Sequence, residues 1–204
     1  MPDDLHNNSG FRQQIIMTLV LLPVTFGIWY AAGELLAGPA VWLAGTLLTH
    51  GLPSIVSETA LNDGLMVIMT RFGDINNEMV PAAQAGYEMA IQLNPRLVSY
   101  SIPFYAALLW ASRVGSPLER FAVGLFLLWL ARALGLTAIA AKDFMLVIGS
   151  DFLSAPWVPH SNVIGVAYQF SVLLVPSLAP VLVWLWQLRG TPLWHELESQ
   201  LGRN

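Results

Sequence analysis

Four stretches of the chain are almost unbroken in apolar side chains. They are Ile15 to Ala37, interrupted by Glu34 alone, Leu97 to Ala111, Phe121 to Ala141 with an apolar continuation to Ile148, and Val163 to about Leu188. A helix needs about 20 mostly apolar residues to cross the hydrocarbon of a bilayer. The pattern therefore predicts a mainly α membrane protein with four transmembrane helices, at residues 15–38, 97–112, 118–148 and 163–188. The first run exceeds the ~7–15-residue apolar core of a cleaved signal peptide and reads as an uncleaved anchor. Pro23 lies near its start, and Pro176 and Pro180 lie inside the fourth run. Such prolines are tolerated when neighbouring groups satisfy the carbonyls they free.

Between the first two runs the pattern changes. Gly38-Pro39 breaks it, and Val41, Trp42, Ala44, Leu47 and Leu48 then recur at helical spacing, which predicts a short interfacial helix over residues 39–53. Residues 54–96 read as a small extracytoplasmic β region. Ser54 to Leu61 and Leu65 to Phe72 flank Asn62-Asp63-Gly64, and Asp-Gly is a strong hairpin signal. Gly73 to Asn77 is loop chemistry. Tyr87, Met89, Ile91 and Leu93 alternate with Glu88, Ala90 and Gln92, the period of a half-buried strand. A third strand would turn a marginal hairpin into a viable three-stranded sheet. A helix over Pro81 to Leu93 is the competing reading.

The remaining segments are polar: residues 1–14, a loop at 149–162 with Pro156, Pro159 and an interfacial Trp157, and a tail at 189–204. Thr191-Pro192 reads as a helix start, after which Leu193, Trp194, Leu197 and Leu201 share one face. Basic residues near short loops set orientation. Arg12 precedes the first span, Arg113 and Arg120 lie between the second and third, and Arg189 and Arg203 follow the fourth. Lys142 alone lies between the third and fourth. Both termini are expected in the cytoplasm and the β region outside.

Composition sharpens this picture by exclusion. The 204 residues are 55% hydrophobic and 11% charged, with a mean hydropathy of +0.59, whereas a soluble domain carries roughly 25% charged residues. A net charge of −4 without a basic cluster gives no nucleic-acid surface. The absence of cysteine removes disulfides, thiolate metal sites and cysteine nucleophiles. His6, His50, His160 and His195 are scattered without ligand spacing, so neither a metal nor another cofactor is expected. No Ser-His-Asp arrangement, phosphate-binding glycine loop or paired-carboxylate site is present, and the chain reads as not an enzyme.

Arg132 is the sharpest anomaly. It falls within the third span, about 18 Å along the helix axis from Arg120. An arginine at mid-membrane costs at least ~2.5 kcal/mol and should face a partner or a polar cavity. Gln169 and Ser171 are candidates by depth within the chain, which makes Arg132 a structural residue. The alternative is contact with an intramembrane carboxylate or terminus of a partner protein. Glu34, near the end of the first span, is read as reaching the headgroups rather than carrying protons. Arg71 and Arg96 bracket the β region, whose Asp63, Asp74, Glu78 and Glu88 make it acidic on balance.

Three places in the chain resemble a known family: Trp29-Tyr30 leading to Pro39 and Leu43-Ala44, the strand ending Met69-Thr70-Arg71, and Asn94-Pro95 followed by Tyr100, Pro103 and Ala106-Ala107-Leu108. The family is the exosortase H-associated membrane proteins, small bacterial inner-membrane proteins encoded beside an exosortase. The likeness is densest over the first half of the chain. It implies a place beside an integral membrane sorting protease of transpeptidase type, or beside that enzyme's substrate. The enzyme itself looks to depend on cysteine with arginine and histidine, so this cysteine-free chain is expected to be an accessory subunit. Arg71, Asn94, Pro95, Tyr100, Pro103 and Arg132 are then the candidate contacts to partner or substrate. The competing functions are a small transporter or channel subunit and a type IV pilin-type accessory protein.

Overall fold

The computed structural model describes residues 4–76 and 78–201, with side chains from Arg12 onward except at 77, 196, 197 and 199–201. Arg203 therefore lies outside the described residues, as do the Leu197 and Leu201 side chains of the expected amphipathic face. The chain forms two compact units. The first holds Met1–Ala32, Tyr100–Leu128 and Ser177–Asn204; the second holds Gly33–Ser99 and Trp129–Pro176.

Three helical segments are long and apolar enough to cross a membrane, Arg12–Ala31, Pro117–Val147 and Ser161–Leu188. The first belongs to α1 (Asp4–Ala31), and the second is α5 (Pro117–Val147). The third is continuous through α7 (Ser161–Gln169), a π-helical turn at Phe170–Leu174, and α8 (Val175–Leu188). The stretch expected to be a second span forms instead a 3₁₀ turn, Pro95–Val98, and α4 (Ser101–Ala111). Eleven helical residues rise about 16 Å, roughly half a bilayer core.

In the first unit α4 is the buried element, with Tyr105, Ala107 and Leu109 almost fully enclosed. Its end is tied to α1 by Gln14, whose Nε2 donates to the Leu108 carbonyl at 3.1 Å and to Ser112 Oγ at 3.0 Å. Trp184 Nε1 donates to the same Oγ at 2.7 Å. The Tyr105 hydroxyl lies 2.6 Å from Gln187 Oε1 and 2.8 Å from the Arg120 carbonyl, and Arg120 Nη1 donates to the Gln187 carbonyl. These bonds gather the start of the apolar segment Arg12–Ala31, the end of α4, the start of α5 and the end of α8 at one end of the unit. α9 (Pro192–Leu201) follows.

The second unit packs α2 (Gly33–Gly51), α5, α7 and a sheet around one core. α2 buries Ala37, Ala40, Val41, Ala44 and Leu48, and the small side chains in this stripe let neighbours approach closely. α5 contributes Ala133, Leu136, Ala140 and Phe144 to the same core. The break before α2 falls at Ala32 rather than at Gly38-Pro39, and Pro39 lies inside the helix.

The expected hairpin forms as β1 (Val56–Asn62) and β2 (Leu65–Thr70). Asp63 and Gly64 both have positive φ, 48° and 75°, the conformation of a type I′ turn. Met66, Ile68 and Thr70 alternate into the core. Gly73 to Ile75, read as loop, belong instead to β3 (Phe72–Ile75), which pairs with β4 (Glu78–Pro81) in a second hairpin. Both readings of the next stretch hold in part: α3 (Ala82–Ala85) ends at Gly86, φ 81°, and β5 (Ala90–Leu93) pairs with β2. The resulting sheet has the order β1-β2-β5, all antiparallel. α6 (Ser150–Leu153) precedes α7.

Candidate functional site

Arg132 is the largest fully buried side chain, 1% exposed. Its Nη1 donates to the Leu36 carbonyl at 2.8 Å, and Trp129 Nε1 donates to the same oxygen at 3.0 Å. Leu36 lies in the helical turn just before Pro39, one residue on from Leu35, whose carbonyl loses its helix donor to the proline. Among the described residues, Arg132 Nε and Nη2 meet no hydrogen-bond partner and no carboxylate pairs with the guanidinium. Ser171 is buried and Gln169 exposed, and neither bonds to Arg132. Arg132 is thus enclosed within the second unit, with almost no surface for another molecule.

The other expected site residues occupy separate places. Arg71 is exposed at the end of β2; its Nε donates to the Pro53 carbonyl at 2.8 Å and its N–H to Ile55 at 2.8 Å, tying the chain before β1 to the sheet. Asn94 caps the 3₁₀ turn, its Oδ1 accepting from the Arg96 N–H at 3.0 Å, and Pro95 is the buried first residue of that turn. Tyr100 immediately precedes α4 and, with Leu19, Pro23, Phe26 and Phe104, lines an apolar groove of the first unit. Pro103 is buried in the first turn of α4, where a missing N–H costs little.

Two concavities of the second unit were not legible in the sequence. One, about 590 Å³, is almost wholly apolar and is lined by Leu48 and Leu52, Leu134 and Ala138, Ile164 and Phe170. Trp157, 96% exposed with φ 70°, stands on its rim, and the π-helical turn forms part of its wall. The other, about 510 Å³, lies between α2 and β1. The exposed Trp42 was the one sequence signal for the second. Among the described residues no three His, Cys, Asp or Glu side chains are grouped to hold a metal ion.

A sequence model of one protein family, described as exosortase H-associated membrane protein, matches residues 8–191. The chain belongs to this family. The match takes in nearly all of both units, well beyond the three places that carry the resemblance by eye. No curated protein and no solved structure matches the chain. The family's name associates its members with exosortase systems and with the membrane, which agrees with the three helices able to cross one.

Proposed function

We propose that the chain is a non-catalytic accessory subunit of an exosortase-type protein-sorting system, assisting substrate positioning or enzyme assembly. The family match over residues 8–191 carries this reading. The lack of any cysteine supports it, since a cysteine-dependent sorting enzyme must be another chain. Contact is assigned to exposed parts of the outer β region, Arg71 among them. Asn94 and Pro95 act from within, by shaping the turn that ends it, while Pro103 and Arg132 are buried away from direct contact.

The protein is placed in the bacterial inner membrane with both termini in the cytoplasm. α1 leads out, α4 returns as a short fourth crossing, α5 leads out again and α7 with α8 returns. Support comes from the first unit, where Gln14, Ser112, Arg120 and Gln187 mark one end through their mutual bonds. Arg12, Arg113, Arg120 and Arg189 all belong to that end by sequence, as positive charge on the cytoplasmic side requires.

The test is a pull-down of tagged protein in gentle detergent, with mass spectrometry of what remains bound. Recovery of a cysteine-containing polytopic protease is expected. A clean homo-oligomer without a partner overturns the reading and favours transport.

A further inference from the structure

β1 is an edge strand. Its register with β2 sets Asn62 opposite Leu65, Ala60 opposite Val67 and Glu58 opposite Met69. Residues flanking a two-residue turn exchange both backbone hydrogen bonds, and the pattern alternates along an antiparallel ladder. Asn62, Ala60 and Glu58 therefore bond to β2, while Thr59 and Leu61 aim their N–H and C=O groups away from it. The opposite side of β2 agrees, since the Thr70 N–H turns toward Met89 at 2.9 Å, on the side of β5. Among the described residues, nothing meets the outward groups of Thr59 or Leu61.

Proteins blunt open edges with lysine, proline, a bulge or a covering element. Val56–Asn62 contains neither lysine nor proline, and its irregularity lies at the far end, between Val56 and Glu58. The exposed Glu58 places this edge in water, because lipid does not accept an open sheet edge. The 510 Å³ groove lies along it, with Ser57 to Leu61 on one side and Val41, Trp42, Gly45 and Thr46 on the other. Trp42 is 72% exposed there.

The one charged residue lining the groove is a carboxylate, Glu58, and Asp63 stands in the turn. The Arg96 guanidinium lies close to Gly33 at the start of α2, and Arg71 bonds the chain before β1, both outside the lining of the groove. Glu34 Oε1 lies 3.3 Å from where a Cβ on Gly64 would be, and Glu88 accepts a hydrogen bond from Ser57 at 2.6 Å. No lysine or arginine lines the groove. A second copy of β1 would bring no cation to Glu58, since Val56–Asn62 contains neither lysine nor arginine.

We propose that the free edge of β1 captures an extended, lysine- or arginine-bearing segment of a partner protein, which lies beside α2 as a fourth strand. Thr59 and Leu61 supply main-chain bonds, Trp42 packs an apolar side chain of the incoming strand, and Glu58 meets its cation. That the segment belongs to an exported protein rests on the sorting reading above. The strand pairing does not.

The test uses the full chain in nanodiscs of neutral phosphatidylcholine and fluorescence anisotropy. The probe is a labelled peptide of about eight residues, one strand's length, alternating valine and lysine; its counterpart carries glutamate for lysine. The lysine peptide should bind saturably and at least tenfold more tightly than its counterpart. Glu58→Lys should narrow or reverse that preference. Leu61→Pro, which removes an outward N–H without touching a bond to β2, should lose binding of the lysine peptide while the thermal midpoint stays near wild type. Equal binding of the two peptides, no binding, or an undiminished preference in Glu58→Lys overturns the proposal. So does a wild-type dimer that Leu61→Pro splits, since a second copy would then fill the edge. Pull-down of a sorting enzyme by the wild type, alongside failure of peptide binding, would leave the sorting reading intact and remove only the strand pairing.

Discussion

Arg132 gives one donor to a backbone oxygen and holds two more without partners, and this decides what its removal should do. A buried donor left unmade costs about 1–3 kcal/mol, and exchange of a buried polar group for an apolar one of similar shape is often neutral or stabilising. The Leu36 carbonyl keeps Trp129 as a donor. Arg132→Met is therefore expected to leave the thermal midpoint in nanodiscs unchanged or higher; a clear fall would show that Nε and Nη2 have partners after all. Tyr105 presents the opposite case. It is fully buried, and a Cβ on Gly124 would overlap its ring and hydroxyl. Gly124→Ala should cost about 1–3 kcal/mol by overpacking, and Tyr105→Phe about 0.5–1.5 kcal/mol for the lost hydrogen bond. The two losses should be close to additive, because the ring carbons Cζ and Cε1 of residue 105 still stand in the way of the added methyl after the hydroxyl is gone. A Gly124→Ala melt indistinguishable from wild type would refute the close approach.

The β1–β2 hairpin shows what the chain states openly. Asp63-Gly64 demands positive φ at two successive residues, and alternation in Met66, Ile68 and Thr70 fixes the buried face. Gly64→Val should therefore destabilise the hairpin by about 1–2 kcal/mol, whereas Gly64→Asn should be tolerated, as positive φ at a β-branched residue is strained. Amide exchange of β1 and β2 reads this directly, and equal protection in the two variants would contradict the turn assignment. The second hairpin was illegible because β3 and β4 are four residues each and Gly73 imitates a loop. Gly73 is instead the residue that lets β3 lie against Ala85 and the Tyr87 backbone, where a Cβ would clash. The start of α2 was illegible for a different reason. Pro39 is a helix breaker by local rules, and the groups near its freed turn, Trp129 and Arg132, are more than ninety residues away. The same long-range pairing explains why Arg132 could be flagged from sequence but its partner could not. Nor does any spacing rule reveal the open edge of β1, which depends on which strand lies beside which.

At the scale of the whole molecule, the number of crossings turns on α4. It is too short to be recognised as a span by length, so the alternative is that residues 33–116 remain on one side and α5 makes the first return. The bonds of the first unit weigh against this alternative, because Gln14, near the start of the apolar segment Arg12–Ala31, holds the Leu108 carbonyl and Ser112 at the end of α4. Whatever side faces Arg12 then also faces Arg113, and the positive-inside rule predicts that side to be the cytoplasm. A chain without cysteine makes the question accessible to single introduced thiols. Gly115 has open space where a side chain would grow, and Ala60 and Ser154 lie in the segments read as outside. In intact cells with a permeant outer membrane, an impermeant maleimide should label Ala60→Cys and Ser154→Cys. It should reach Gly115→Cys only after the inner membrane is opened. Labelling of Gly115→Cys in intact cells at the level of Ala60→Cys would mean that α4 does not return the chain, and would reduce the crossings to the three helices that length alone allows. The accessory reading survives either result, but the outer surface available to a partner does not: with four crossings it is confined to residues before α4 and between α5 and α7, with the β1 edge as its most open element.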